Sequence, residues 1–250
     1  DKILYKMKDL LLESENEQAE VRILRGEYEK TLQINTRKSP YLYRNPIENG
    51  FLKENKIGYI DPSTLKEGEL ETLMNRFQNT SGIIIDLRYY PSIYIPDLMG
   101  EYVVSTQKVF AIMATPNPAI PGAYLKNELY VGKGTENERI EDEIYHGKLI
   151  LLMDEGTYSQ AEFTIMALRQ SPNAIVLGSP SLGADGDIIE CYLPGQIRMS
   201  MTGLGVYSPN GERTQRCGLE PDVECYPSVD GIREKRDELL EKAVEIIERK

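Results

Sequence analysis

The sequence has no tryptophan and a single histidine, His146, in 250 residues. One histidine excludes a histidine-rich metal site. The three cysteines, Cys191, Cys217 and Cys225, cannot all pair within one chain. None stands in a C-x-x-C pair, so a cysteine zinc site is not expected either. No apolar run approaches the ~18 residues of a membrane-spanning helix. No basic-then-apolar leader stands at Asp1, where the chain opens in what reads as the middle of a domain. Basic residues are scarce: 29 Lys and Arg stand against 40 Asp and Glu, a net charge of −11. Nucleic-acid backbones select Lys/Arg faces, so a nucleic-acid partner is not expected.

What the chain does have is a 40% apolar share, enough for a core, arranged in two different periods. Residues 3–13 read as a short helix, and the alternation around "RGEYEK" predicts a pair of strands. "RKSPYLYRNP" carries two prolines and breaks the periodicity, which sets a boundary at 39–56. Beyond it strands and helices alternate. "KIGYI" reads as a strand. "STLKEGELETLMNRF" places Leu70, Leu73, Met74 and Phe77 on one helix face. "GIIIDLR" and "KLILLMD" are continuous apolar runs of the kind buried on both faces of a parallel sheet. A helix is expected near 94–104, then strands at "KVFAIMA" and "AYLKNELYV", a helix over 159–170, a strand at "AIVLGS" and a hairpin around "PGQ". "REKRDELLEKAVEIIERK" closes the chain as one amphipathic helix. Repeated β–α–β units imply an α/β domain with helices on the sheet faces.

Ser159 stands where "KLILLMD", a Gly-containing turn and a helix meet. The unpaired N–H groups of a helix N-terminus favour an anion there. A serine so placed can be a nucleophile whose oxyanion is held by neighbouring amides. It can equally be an N-cap, since Ser159 and Glu162 form the S-x-x-E capping box. From spacing alone the cap is the commoner outcome.

Six pieces in order resemble the S41 family of serine peptidases, the C-terminal processing or tail-specific proteases. They are "GYI", "GIIIDLRYYPS", "GKLILLMDEGTYSQAE", "VLGSPSLGADG", "LPGQI" and "GLEPDVE", over about residues 55–248. "GIIIDLRYYPS" is similar to G-x-I-I-D-L-R-x-N-P-G-G. "TYSQAE" is similar to T-A-S-A-S-E, and "VLGSPSLGADG" to V-x-G-E-x-T-x-G-K-G. The resemblance implies a ClpP/crotonase-like α/β core with a mostly parallel central sheet at 57–250. Before it would stand a small α+β remnant of a PDZ-like module at 1–38, and a linker at 39–56. It implies Ser159 as nucleophile, with the backbone amides of Gln160 and Ser92 holding the oxyanion and Glu162 and Arg88 supporting the site. It implies polypeptide substrates, unfolded or C-terminal segments, no metal or other cofactor, and a periplasmic or cell-envelope location.

The sequence departs from that pattern at the base, which a serine hydroxyl needs. Ala184 stands where the tail-specific branch has its lysine. Asp61 stands where a tricorn-like branch draws a histidine. His146 begins the strand whose far end leads to Ser159, roughly 20 Å away at ~3.3 Å per residue. Asp185 is left as the candidate base, poor at an ordinary pKa of ~3.9 unless burial raises it; the alternative is a residue from a partner, a domain motion or an absent segment. Two other readings stand beside the peptidase: an S41-like module that binds peptide C-termini without cutting them, and a crotonase-like acyl-CoA enzyme.

Overall fold

The computed structural model describes residues 16–35, 47–135 and 143–249, and the chain divides into two compact units, Asp1–Ile47 and Glu48–Lys250. In the first unit β1 (Gln18–Arg25) and β2 (Tyr28–Asn35) pair antiparallel. Their two-residue turn puts Gly26 at φ +66°, a conformation glycine enters without steric cost and that suits the twist of a tight hairpin. The helix expected over 3–13 and the proline-bearing stretch at 37–46 lie outside the described residues.

The second unit is built on a six-stranded sheet. In chain order its strands are β3 (Gly50–Leu52), β4 (Ile57–Ile60), β5 (Gly82–Asp86), β8 (Lys148–Met153), β9 (Ala174–Gly178) and β13 (Val223–Glu224). The spatial order is β13-β9-β8-β5-β4-β3, parallel throughout except for the antiparallel edge strand β3. This unit begins at Glu48, and in it Gly50–Leu52 pairs with Ile57–Tyr59. The two continuous apolar runs occupy the centre: Ile83, Ile84 and Ile85 of β5 and Ile150, Leu151 and Leu152 of β8 are fully buried. Each contributes about 1.5–3 kcal/mol by its removal from water.

Helices cover the sheet. In α1 (Glu69–Phe77), Leu70, Leu73, Met74 and Phe77 are all buried, as the i, i+3, i+4, i+7 spacing requires. The helix starts later than the sequence suggested. Pro62–Thr64 is instead a 3-10 turn capped by Asp61, whose Oδ1 accepts from the Ser63 amide at 2.9 Å. Helix α2 (Pro96–Val103) precedes a three-stranded antiparallel sheet in which β6 (Lys108–Pro116) lies between β7 (Tyr124–Val131) and β12 (Gly205–Tyr207). The hairpin around "PGQ" is β10 (Ile188–Leu193) with β11 (Ile197–Thr202). Helix α3 (Gln160–Leu168) follows β8. The closing segment is two helices rather than one, α4 (Val229–Glu234) and α5 (Glu238–Glu248). Lys235 turns left-handed at φ +58°, and Asp237 caps the second helix through the Leu240 amide at 3.0 Å.

Because β4, β5, β8 and β9 run parallel, the segments leaving their carboxyl ends gather at one edge of the sheet. That edge is where open α/β sheets place their ligands.

Candidate active site

Asp154–Tyr158 joins the carboxyl end of β8 to α3 and is tied down on every side. The Asp154 Oδ1 accepts from the Gly156 amide at 2.8 Å. The buried Thr157 hydroxyl accepts from the Asp154 amide at 3.0 Å and donates to the Leu87 carbonyl at 3.0 Å. The Thr157 carbonyl accepts from the Leu182 amide at 2.9 Å. This frame holds Ser159 at φ +51°, ψ −121°, a region that costs a residue with a side chain of order 1–3 kcal/mol and recurs at functional sites. A serine on a sharp strand-to-helix turn has its hydroxyl lifted out of the backbone toward an incoming ligand. Ser159 is also the N-cap, and the Glu162 half of the capping box is formed: the Ser159 amide donates to Glu162 Oε2 at 3.1 Å.

Glu162 does more than close the cap. Its carboxylate is fully buried. It accepts from the Gly183 amide at 2.8 Å, from the Ala184 amide at 3.0 Å and from the Ser181 hydroxyl. Burial pushes its pKa above the ordinary carboxylate value, against the pull of those donors. Glu162 thus fastens the turn after β9 to the N-terminus of α3. Gly183 in that turn has φ +69°, and a Cβ there would meet the Gly218 amide nitrogen at 2.6 Å.

The fastening leaves Asp185 lining the same groove as Ser159, a groove of about 1220 Å³. Asp185 is 6% exposed. Its Oδ1 accepts from the Gly186 amide at 2.8 Å, while Oδ2 is buried with no hydrogen-bond partner. Burial above all, with the Glu162 charge adding to it and the Gly186 amide opposing it, raises its pKa to about 7. The groove floor is the three-stranded sheet, where Gly205 pairs with Ala114 and Ala114 with Lys126. One lip is the aromatic pair Tyr90 and Tyr158, ring centroids 5.0 Å apart.

The other expected site residues fall in different places. Gln160 opens α3, where a first-turn amide has no partner within the helix, and its side chain donates to the Ile93 carbonyl at 2.6 Å. Ser92 is a correction. Its amide donates to the Pro62 carbonyl at 3.0 Å, and its hydroxyl to the Pro62 and Leu65 carbonyls at 3.0 and 2.5 Å. That amide is committed to the 3-10 turn and cannot also hold an oxyanion in this arrangement. Arg88 forms a two-pronged pair with Asp86, at 2.8 and 2.6 Å, and another with Asp237, at 3.0 and 2.8 Å. It clamps the end of β5 to the cap of α5. Ala184 is exposed on the groove wall. His146 is exposed ahead of Lys148, at the opposite end of β8 from Ser159. Among the described residues no cluster of His, Cys, Asp and Glu is arranged to hold a metal ion, and no helix is long and apolar enough to cross a membrane.

Sequence reasoning missed three basic side chains in the groove, Lys126, Arg213 and Arg216. Arg213 and Arg216 share one polar stretch with no recognisable motif, and Lys126 lies 87 positions before Arg213, so nothing local joins them.

The family model of peptidase family S41 matches residues 104–225, which include Ser159, Glu162 and Asp185. Solved structures share the fold. A Parabacteroides merdae ATCC 43184 protein described as a candidate peptidase matches at 18% identity and TM-score 0.65, over 82% of this chain and 66% of its own. Mature CPAF complexed with lactacystin matches at 12% identity and TM-score 0.64, over 92% of this chain and 67% of its own. The photosystem II D1 C-terminal processing protease matches at 17% identity and TM-score 0.54, over 85% of this chain and 56% of its own. The chain thus spans between 56% and 67% of the length of these three structures. No curated protein matches it in sequence.

Proposed function

We propose, for a chain that is of the S41 peptidase type in sequence match and in fold, that it is a serine endopeptidase in which Ser159 attacks the peptide carbonyl and Asp185 takes the proton. The observation that carries this reading is the pairing in one groove of a serine held at φ +51°, ψ −121° with a buried carboxylate whose second oxygen has no partner. A general base works best with a pKa near the operating pH, and Asp185 has one of about 7. In the first step Ser159 Oγ bonds to the carbonyl carbon as its proton passes to Asp185, directly or through one water. The oxyanion lies at the N-terminus of α3, where the Gln160 amide and the helix dipole stabilise it. In the second step Asp185 returns the proton to the departing amine, leaving an acyl group on Ser159 for water to remove.

A second reading has its own support. The committed Ser92 amide and the alanine at 184 both remove parts that the family's mechanism uses, as in a module that holds polypeptide segments without cutting them. The substrates in the peptidase reading are unfolded chains or C-terminal segments. Residues 1–38 are then part of a PDZ-like module, and the location is extracytoplasmic, in the periplasm or cell envelope.

The test is covalent labelling with a fluorophosphonate. Wild type should label, and Ser159→Ala should lose at least about 10³-fold in labelling rate, the scale on which removing a nucleophile acts. Absent labelling of wild type, together with measurable peptide binding, would move the assignment to the binding module.

A further inference from the structure

We infer that the groove beside Ser159 selects polypeptide segments bearing carboxylates, which Arg213, Arg216 and Lys126 hold. The inference rests on the reading of this groove as a polypeptide site. Acids outnumber bases in the chain by 40 to 29, yet the groove reverses that ratio: three of its lining side chains are cations and one, Asp185, is an acid. Asp185, with a pKa of about 7, carries only part of a charge at neutral pH.

The cations are fixed in place by backbone structure while their charges stay available. Arg216 donates its amide to the Gly183 carbonyl at 2.7 Å, which sets it directly against the turn that carries Asp185. Arg213 pairs with Tyr207 of β12 across an isolated bridge. Lys126 lies over the Tyr207 ring, 5.7 Å from its centroid. Tyr207 therefore meets Lys126 through its ring and Arg213 through its backbone, and all three cations line the groove that Ser159 also lines. Both arginines are exposed, and among the described residues neither forms an ion pair. Glu128, two residues beyond Lys126 on the same strand, accepts from the Tyr130 hydroxyl at 2.6 Å and does not line the groove. Unpaired arginines present rigid donor forks that match a carboxylate. Apolar neighbours such as Ile188, Ile189 and Met201 leave room for ordinary side chains between the charges.

Two sources could supply the carboxylate, acidic side chains or the free end of a chain, and the experiment separates them. On the full chain carrying Ser159→Ala, so that nothing is cut, fluorescence anisotropy measures binding of three labelled Ala/Leu/Val decapeptides. One is amidated and neutral, one has a free carboxyl end, and one is amidated with two internal glutamates. An exposed ion pair is worth up to about fivefold in affinity, so one or both charged peptides should bind roughly five- to twentyfold more tightly than the neutral one. The advantage should shrink as salt rises, vanish in Arg213→Ala/Arg216→Ala and survive in Arg213→Lys/Arg216→Lys. A gain for the free-ended peptide alone identifies a chain end, and a gain for the glutamate peptide identifies acidic side chains. Equal binding of neutral and charged peptides, a preference that persists without the arginines, or no binding of any peptide overturns the inference. Fluorophosphonate labelling of Ser159 in wild type does not depend on this result: labelling without the preference removes the selectivity alone, and the preference without labelling removes the peptidase reading alone.

Discussion

Two groups of buried acids stand at the same edge of the sheet and are treated in opposite ways. At the end of β5, Asp86 is fully buried and fully matched: it takes two bonds from the Arg88 guanidinium, one from the Arg88 amide at 3.2 Å and one from the Tyr59 hydroxyl at 2.9 Å, while Arg88 also holds Asp237. At the N-terminus of α3, Glu162 is saturated in the same manner, but Asp185, in the turn after β9 that Glu162 fastens, has one oxygen with no hydrogen-bond partner. A buried polar group without a partner costs about 1–3 kcal/mol, and folds rarely keep one without a use. The matched acids hold the framework. The unmatched one lines the groove that a serine with a strained backbone also lines.

The largest break in that comparison comes from its matched side. Arg88→Ala strands the Asp86 and Asp237 carboxylates, one of them wholly buried, and should cost about 3–5 kcal/mol in urea unfolding. A loss below about 1 kcal/mol would show that the cluster is not the clamp described. On the other side the sign reverses. The folded-state pKa of Asp185, about 7, lies above the ordinary 3.8, so the folded protein holds a proton there that the unfolded chain has released. The stability this provides is full below about pH 4 and is lost as pH rises to about 7. Asp185→Asn should therefore raise stability at pH 8 by about 1–3 kcal/mol while it removes the base, and it should flatten the acid-side slope. A loss of stability in Asp185→Asn at pH 8 would mean that the carboxylate has a partner in solution and belongs with the matched group.

The framework was legible in sequence where one run of residues carries the whole signal. The continuous apolar strands β5 and β8 and the one-faced helix α1 are of this kind. Strands β3, β12 and β13 are two or three residues long, too short for any period to register. The closing segment reads as one amphipathic helix because its apolar spacing continues through 235–237. The break there comes from Lys235 turning left-handed and Asp237 pairing with Arg88, 149 positions away in sequence. The site divides in the same way. The turn that presents Ser159 is local and carries its own motif. The Ser92 amide is lost to a carbonyl 30 positions earlier, and the raised pKa of Asp185 comes above all from its burial in the folded chain. Sequence alone could name Asp185 but could not show what raises its pKa.

The proposed pairing of Ser159 with Asp185 is tested most directly by the pH dependence of fluorophosphonate labelling between pH 5 and 9. With Asp185 as base, the wild-type rate should rise about tenfold per pH unit below about 7 and level off above it. The step should vanish, with a far lower plateau, in Asp185→Asn, and should persist in His146→Gln, which excludes the only imidazole as its source. A profile without a step near 7, or a step unchanged in Asp185→Asn, would contradict the assignment of Asp185 as the base of Ser159.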